Sequence, residues 1–200
     1  MIDNGPNSLP SLSQNVSYTT SGHRSNAISF NYNISFFQVT GLTGLGKTNE
    51  PFSFSLWIRP NSLVGTLIHV ENIAPVVWCL SMLGFTANGS LVAQIWTGAP
   101  RAVFGPVLSP ISTWHHIVQT WSSTNGLRLY VDNALVGSDP LATSYVASTL
   151  SNLVKLANRP TTVCAQGAIA APFAYNGDID DFRIYSRELT LDDICALYHY

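Results

Sequence analysis

The run Pro51–Arg59, PFSFSLWIR, alternates more regularly than any other stretch of the chain. Phe52, Phe54, Leu56 and Ile58 fall on one side, while Ser53, Ser55, Trp57 and Arg59 fall on the other. Successive side chains of a strand point to opposite faces, so this period of two reads as a strand with one buried face. Such a face must be covered by a second layer. Shorter runs of similar character follow at Thr66–Val70, Trp78–Gly84, Leu91–Trp96, His115–Trp121, Leu127–Val131, Ala134–Gly137, Leu153–Ala157 and Ile179–Tyr185, with one before it at Ala27–Tyr32. Turn residues separate them, notably Pro60-Asn61-Ser62, Ala87-Asn88-Gly89, Ser122–Gly126 and Asp132-Asn133. The second layer is therefore another sheet: the expected fold is all-β, a two-sheet antiparallel sandwich.

Composition supports this. Charged residues make up 10% of the 200 positions, with two lysines and three glutamates, so residues that solvate helix surfaces are scarce. One short helix is expected at the C-terminal end. Thr190 serves as its N-cap, Asp192 and Asp193 lie in the positive first turn, and Leu191, Ile194 and Leu197 share a face. Residues 1–24, polar and unpatterned, read as an arm or linker, and residues 25–200 as one domain.

The net charge of −2 and the lack of any basic cluster exclude electrostatic nucleic-acid binding as the expected role. No apolar run is long enough to span a bilayer. The opening MIDNGPNSLPSLSQ lacks the pattern of a signal peptide, so the chain is read as a fragment of a larger secreted or extracellular protein. Sequons at Asn15, Asn33 and Asn88 agree with that compartment. Of the three cysteines, Cys79 lies in an apolar strand and reads as a buried thiol. Cys164, in a loop, and Cys195, on the helix, both read as near-surface and form the expected disulfide pair if one forms.

Three segments resemble the laminin-G-like, concanavalin A-like lectin family. PFSFSLWIRP at 51–60 is similar to the family's early core strand. STWHHIVQTWSSTNGLRLYVDNALVGS at 112–138 is similar to its central hairpin, and FAYNGDIDDFRIYSRELTLDDICALY at 173–198 to its closing strand and helix. The match runs over roughly residues 25–200. Asn133 stands where the family favours glycine, and Phe30-Asn31-Tyr32 lacks an acidic residue used by relatives. The resemblance implies a jelly roll acting as a non-catalytic binding or adhesion module, with a glycan or an extracellular protein as partner. A purely structural domain of a multidomain protein is the alternative.

Glycoside hydrolysis, found elsewhere in that superfamily, needs two carboxylates flanking the scissile bond. Glu50, Glu71 and Glu188 have no suitable spacing. His115 and His116 are neighbours on a strand, so they point apart and cannot share a metal. No G-x-S-x-G elbow occurs. The most oxygen-rich segment is Asn176–Asp181, where Asp178 and Asp180 are candidate calcium ligands. The competing reading gives Asp180 backbone N–H groups, Arg183 or Arg187 as partners. Trp96, at a strand end, and Trp57 and Tyr130, opposite the apolar faces, are the candidate sugar platforms.

Overall fold

The computed structural model describes residues 5–73, 75–109, 111–157, 164, 167–170 and 173–200. The strands are β1 (Ser11–Gln14), β2 (Ser17–Thr19), β3 (Ala27–Phe30), β4 (Phe36–Leu42), β5 (Phe52–Pro60), β6 (Thr66–Asn72), β7 (Cys79–Phe85), β8 (Ser90–Trp96), β9 (Pro100–Val107), β10 (His115–Ser122), β11 (Gly126–Val131), β12 (Ala134–Asp139), β13 (Asn152–Leu156) and β14 (Gly177–Tyr185). Among the described residues one α-helix, α1 (Leu191–His199), follows. The strands form two seven-stranded sheets. The first has the order β1-β4-β13-β6-β7-β8-β9, and the second β12-β11-β10-β5-β14-β3-β2. Every registered strand pair is antiparallel.

The inner faces meet in one apolar core. From β5 it takes Phe52, Phe54, Leu56 and Ile58, all essentially inaccessible, as the alternation requires. Trp121 and Tyr145 fill the space beside Phe52. Their polar atoms donate to backbone carbonyls, Trp121 Nε1 to Ala142 O at 2.7 Å and Tyr145 Oη to Leu45 O at 2.8 Å. Burying large rings is favourable when such polar atoms find acceptors.

Two expectations change here. Residues 11–19 are not an arm: β1 pairs with β4 at the edge of the first sheet, and β2 with β3 at the edge of the second. Their side chains are largely exposed, with Leu12 and Tyr18 more than half so, which leaves no apolar alternation to read. The polar sequence is held by its backbone hydrogen bonds. Strands β4 and β9 also lie outside the alternating runs. The hairpin turn at Asp132-Asn133 has φ of 49° and 66°, the left-handed pair of a type I′ turn, which asparagine supports without glycine.

The second sheet carries another apolar layer on its outer face. Val118 and Tyr130 project there and are capped by Leu189, Ile194 and Leu197 of the C-terminal segment. Thr190 and Asp193 form a reciprocal capping box at the helix start, with Thr190 N donating to Asp193 Oδ2 at 2.8 Å and Asp193 N to Thr190 Oγ1 at 3.2 Å. Arg187 pairs with Asp193 as well and holds its carboxyl well below the usual range. Leu191, expected on the packing face, is exposed; Ile194 and Leu197 alone of the three are buried.

Candidate functional site

On the outer face of the first sheet, most positions between core residues are polar, with Val92 and Leu153 as apolar exceptions. His69 Nε2 lies 3.2 Å from Glu71 Oε2, and Lys155 Nζ lies 2.6 Å from Glu71 Oε1 across the β6–β13 pairing. Burial alone would push the Glu71 carboxyl up. The hydrogen bonds from His69 and Lys155 outweigh it and lower the carboxyl to about 2. His69 Nδ1 is within 3.3 Å of Ser81 Oγ. Ala168 lies over this face, its N donating to Gln94 Oε1 at 3.0 Å.

Cys79 and Cys164 form a disulfide on this face. The expected Cys164–Cys195 pair is therefore wrong. Leu80 and Met82 point into the core, so alternation sends Cys79 outward on β7 to meet the covering loop. Cys195 rides on α1, beyond the opposite sheet, and is an exposed free cysteine. Among the described residues, His69, Cys79 and Cys164 are gathered closely enough to suggest a metal, but both sulfurs are committed to the disulfide.

The acidic segment resolves into ion pairs. Asp178 accepts from Arg59 Nε at 2.8 Å and from the Ser29 hydroxyl. Asp180 accepts from Arg24 N at 3.0 Å and from Asp181 N at 2.8 Å. Asp181 pairs with Arg183 and Arg24. A β-bulge explains the placing of Asp180. Asp181 adopts φ of 47°, Asp180 stands opposite Trp57, and Arg183 stands opposite Ser55. The extra residue reverses the phase of the alternation, so Asp180 does not share the inward face of Ile184 as an unbroken strand would have it. Calcium takes six to eight oxygens. Here the carboxylates are met by guanidinium and N–H donors, and this donor set does not fit the ion.

The sugar-platform candidates separate. Trp57 does lie on the outer side of β5, but it is 5% exposed because α1 and the N-terminal segment cover it: Tyr198 stacks at 5.6 Å and His23 at 3.5 Å between ring centroids. Tyr130 is 3% exposed within the outer apolar layer. Neither ring face is open to a ligand. Trp96 is half-buried at the end of β8 and packs against the core.

The open rings lie instead around His23. This exposed imidazole lies flat on Trp57, with an interplanar angle of 10°, and sits edge-on to half-buried Trp114 at 6.3 Å. Arg59 crosses the Trp114 face at 4.9 Å while holding Asp178, and its Nη2 donates to Ser21 Oγ at 3.2 Å. Arg24 covers the exposed Tyr200 ring at 3.9 Å. Burial lowers the pKa of His23, with Arg24 adding to that effect against Asp180 and Asp181. The result is a neutral ring platform edged by guanidinium donors and carboxylate acceptors. His23 lies within the stretch read as an arm, so its role has no signature in the sequence; tertiary packing brings it onto Trp57.

His115 and His116 point apart, as expected for strand neighbours. His115 Nδ1 lies 2.8 Å from Asp132 Oδ2, and His116 Nε2 lies 2.9 Å from Ser55 Oγ. Asn15, Asn33 and Asn88 are all exposed.

The profile of the concanavalin A-like lectin/glucanases superfamily matches residues 35–195. Human adhesion G-protein coupled receptor D1 is 35% identical over 101 residues, 49% of this chain and 10% of the receptor. Among solved structures, domain 4 of AbnA, a GH43 extracellular arabinanase from Geobacillus stearothermophilus in complex with arabinotriose, aligns with a TM-score of 0.59. It has 16% identity and covers 94% of this chain and 88% of that one. The binding domain of Paraclostridial Mosquitocidal Protein 1 aligns with a TM-score of 0.66 at 16% identity, covering 96% of this chain and 48% of that one. The chain thus spans a small part of the receptor and about half of the toxin domain.

Proposed function

Because the chain belongs to the concanavalin A-like lectin/glucanases superfamily, we propose that it is a non-catalytic extracellular binding module that recognises a glycan on the platform around His23 and Trp114. The observation that carries this reading is the open His23 ring, backed by Trp57, beside a Trp114 whose face is shared with Arg59. Flat rings pack against the apolar face of a sugar, while Arg59 and Ser21 offer donors and an acceptor to its hydroxyls. The arabinotriose named with the arabinanase domain supports a sugar as ligand, and the adhesion receptor supports an extracellular setting. Glu71 and Asp178 are each tied to cationic partners, which favours structural roles over the free acid–base pair of a hydrolase.

A glycan array that includes arabino-oligosaccharides tests the reading. A reproducible hit that Trp114→Ala and His23→Ala each weaken tenfold or more, while Trp96→Ala leaves it intact, supports the platform. A hit lost on Trp96→Ala alone moves the site to the end of β8. Release of reducing sugar from any arrayed glycan would overturn the non-catalytic assignment.

A further inference from the structure

The polar cluster over the first sheet holds more than a disulfide requires. Two cysteines close a covalent clip whatever lies beside them, yet the Cys79–Cys164 pair sits against His69, which in turn meets Glu71 and Ser81. His69 is fully buried, and an imidazole taken out of water costs free energy unless its nitrogens find partners. Strand register explains the gathering. His69 and Glu71 are two apart on β6 and share its outer face, while on β7 Ser81 stands opposite His69 and Cys79 opposite Glu71. Cys164 joins them from outside the sheet.

The donor atoms converge. One ring nitrogen of His69 and the sulfurs of Cys79 and Cys164 all lie within 4.8 Å of one another. His69 Nε2 is 3.7 Å from Cys164 Sγ and 3.2 Å from Glu71 Oε2. Tetrahedral zinc, with bonds of about 2.0–2.3 Å, sets its ligand atoms roughly 3.3–3.8 Å apart. Outer partners are in place as well. Ser81 Oγ takes the Nδ1 side of the ring at 3.3 Å, which leaves Nε2 facing the sulfurs. Lys155 holds Glu71 Oε1 at 2.6 Å, so Oε2 is the nearest fourth donor. Two thiolates and this carboxylate exceed the charge of a divalent cation by one, and Lys155 offsets the excess.

We propose that Cys79 and Cys164, once reduced, bind a zinc-class divalent cation together with His69, so that a metal takes over the clip from the disulfide. Two thiolates, an imidazole and a carboxylate suit zinc rather than the hard cations calcium and magnesium. The exchange is driven by a dithiol reductant. Its two thiols close to a disulfide, and their two electrons and two protons pass to the Cys79–Cys164 bond, giving two thiols. The cation then displaces those two protons and binds both sulfurs as thiolates. Rotation of the cysteine side chains parts the sulfurs to the ~3.8 Å of a shared metal, from Cα atoms 5.2 Å apart. Cys164 thus stays tied to the first sheet under oxidising and reducing conditions alike. The site lies on the sheet opposite the ring platform and does not depend on the glycan reading.

The test uses the whole chain carrying Cys195→Ser, which removes the exposed thiol as a competing ligand. The chain is reduced with dithiothreitol, freed of reductant without air, and titrated with cobalt(II) and then zinc. The expected results are saturable uptake of one cobalt per chain, with thiolate-to-cobalt charge-transfer bands and the intense visible absorption of a tetrahedral site, both bleached by zinc. Zinc should also restore most of the melting temperature lost on reduction. The oxidised chain should bind at least a hundredfold more weakly. His69→Gln should weaken binding tenfold or more, and Cys164→Ser, whose change lies outside the sheet and spares its strands, should do so at least as strongly, with circular dichroism confirming that each variant folds. No uptake by the reduced chain up to millimolar cobalt, equal uptake by the oxidised chain, or an affinity unmoved by His69→Gln and Cys164→Ser would each overturn the proposal.

Discussion

Between its core positions the first sheet turns out mainly polar side chains, His69, Glu71, Ser81, Gln94 and Lys155, beside Val92 and Leu153, while the second turns out the large apolar groups Trp57, Val118 and Tyr130 among Ser55 and His116. The coverings follow from that difference. The polar face has little apolar area to bury, so a loop is held on it by a covalent clip, Cys79–Cys164, and by hydrogen bonds such as Ala168 N to Gln94. The apolar face draws α1 onto it through Ile194 and Leu197 and needs no covalent tie. Each outer face is covered, so the two sheets form three packed interfaces, one between them and one on each outer side, where alternation alone implies one.

The clip should show the largest effect. Cys79 and Cys164 are 85 residues apart, and opening a loop of that size costs on the order of 4 kcal/mol in the chain-entropy picture. Cys79→Ser, or reduction of the native chain, should lower the denaturation midpoint strongly, while Cys195→Ser changes it by less than about 0.5 kcal/mol. Equal midpoints for Cys79→Ser and the native chain would show that the polar face holds its loop without the bond.

On the other face, Ile194→Ala should cost about 3 kcal/mol by urea titration, since Ile194 is fully buried in the cluster with Val118 and Tyr130. Leu191→Ala, on the exposed side of the same helix, should cost almost nothing. Similar losses for the two would mean that helix propensity, not packing, sets the stability of this covering.

The faces should also fail in different pH windows. Burial, acting against the pull of Asp132 and Asp181, lowers the His116 pKa to about 4, against 6.5 for the free side chain. The unfolded chain therefore takes up a proton that the folded chain refuses, and stability falls as pH is lowered from about 6.5 toward 4. Glu71 has the later window. Its depressed carboxyl stabilises the fold fully above about 4.5, and that contribution is lost between 4.5 and about 2. Each accounts for about 2 kcal/mol at the rate of 1.36 kcal/mol per pK unit, discounted for residual solvation. Melting temperatures across pH should lose the upper slope in His116→Gln and the lower slope in Glu71→Gln. A single slope unmoved by either change would remove the link between face and window.

The smallest effect is local. Thr190→Ala removes the hydroxyl half of the capping box and should cost about 1 kcal/mol, seen as a fall of a few degrees in melting temperature.

Strand β5, the strands around it and the Thr190 cap were legible because each carries a local signature: period-two alternation in PFSFSLWIR, and an N-cap followed by two acidic residues. The ring platform was not, because His23 meets Trp57 across a sequence separation of 34 residues and no local pattern encodes the encounter. The same holds for Trp57 and Tyr130. Alternation correctly placed them opposite the core, but it could not tell that a helix from the far end of the chain would cover them.

By itself, then, the sequence determined an all-β sandwich with a capped C-terminal helix, because alternation and capping are properties of neighbouring residues and survive without knowledge of the fold. Tertiary structure decided the rest. It chose Cys79 as the partner of Cys164 by bringing a loop over the first sheet, and sent Cys195 to the opposite side. It reversed the facing of Asp180 by one inserted residue at Asp181, a shift of phase that composition cannot announce. It also limited the pairing of β14 with β3 to Gly177–Ile179, because where a neighbouring strand stops is set by the path of the whole chain.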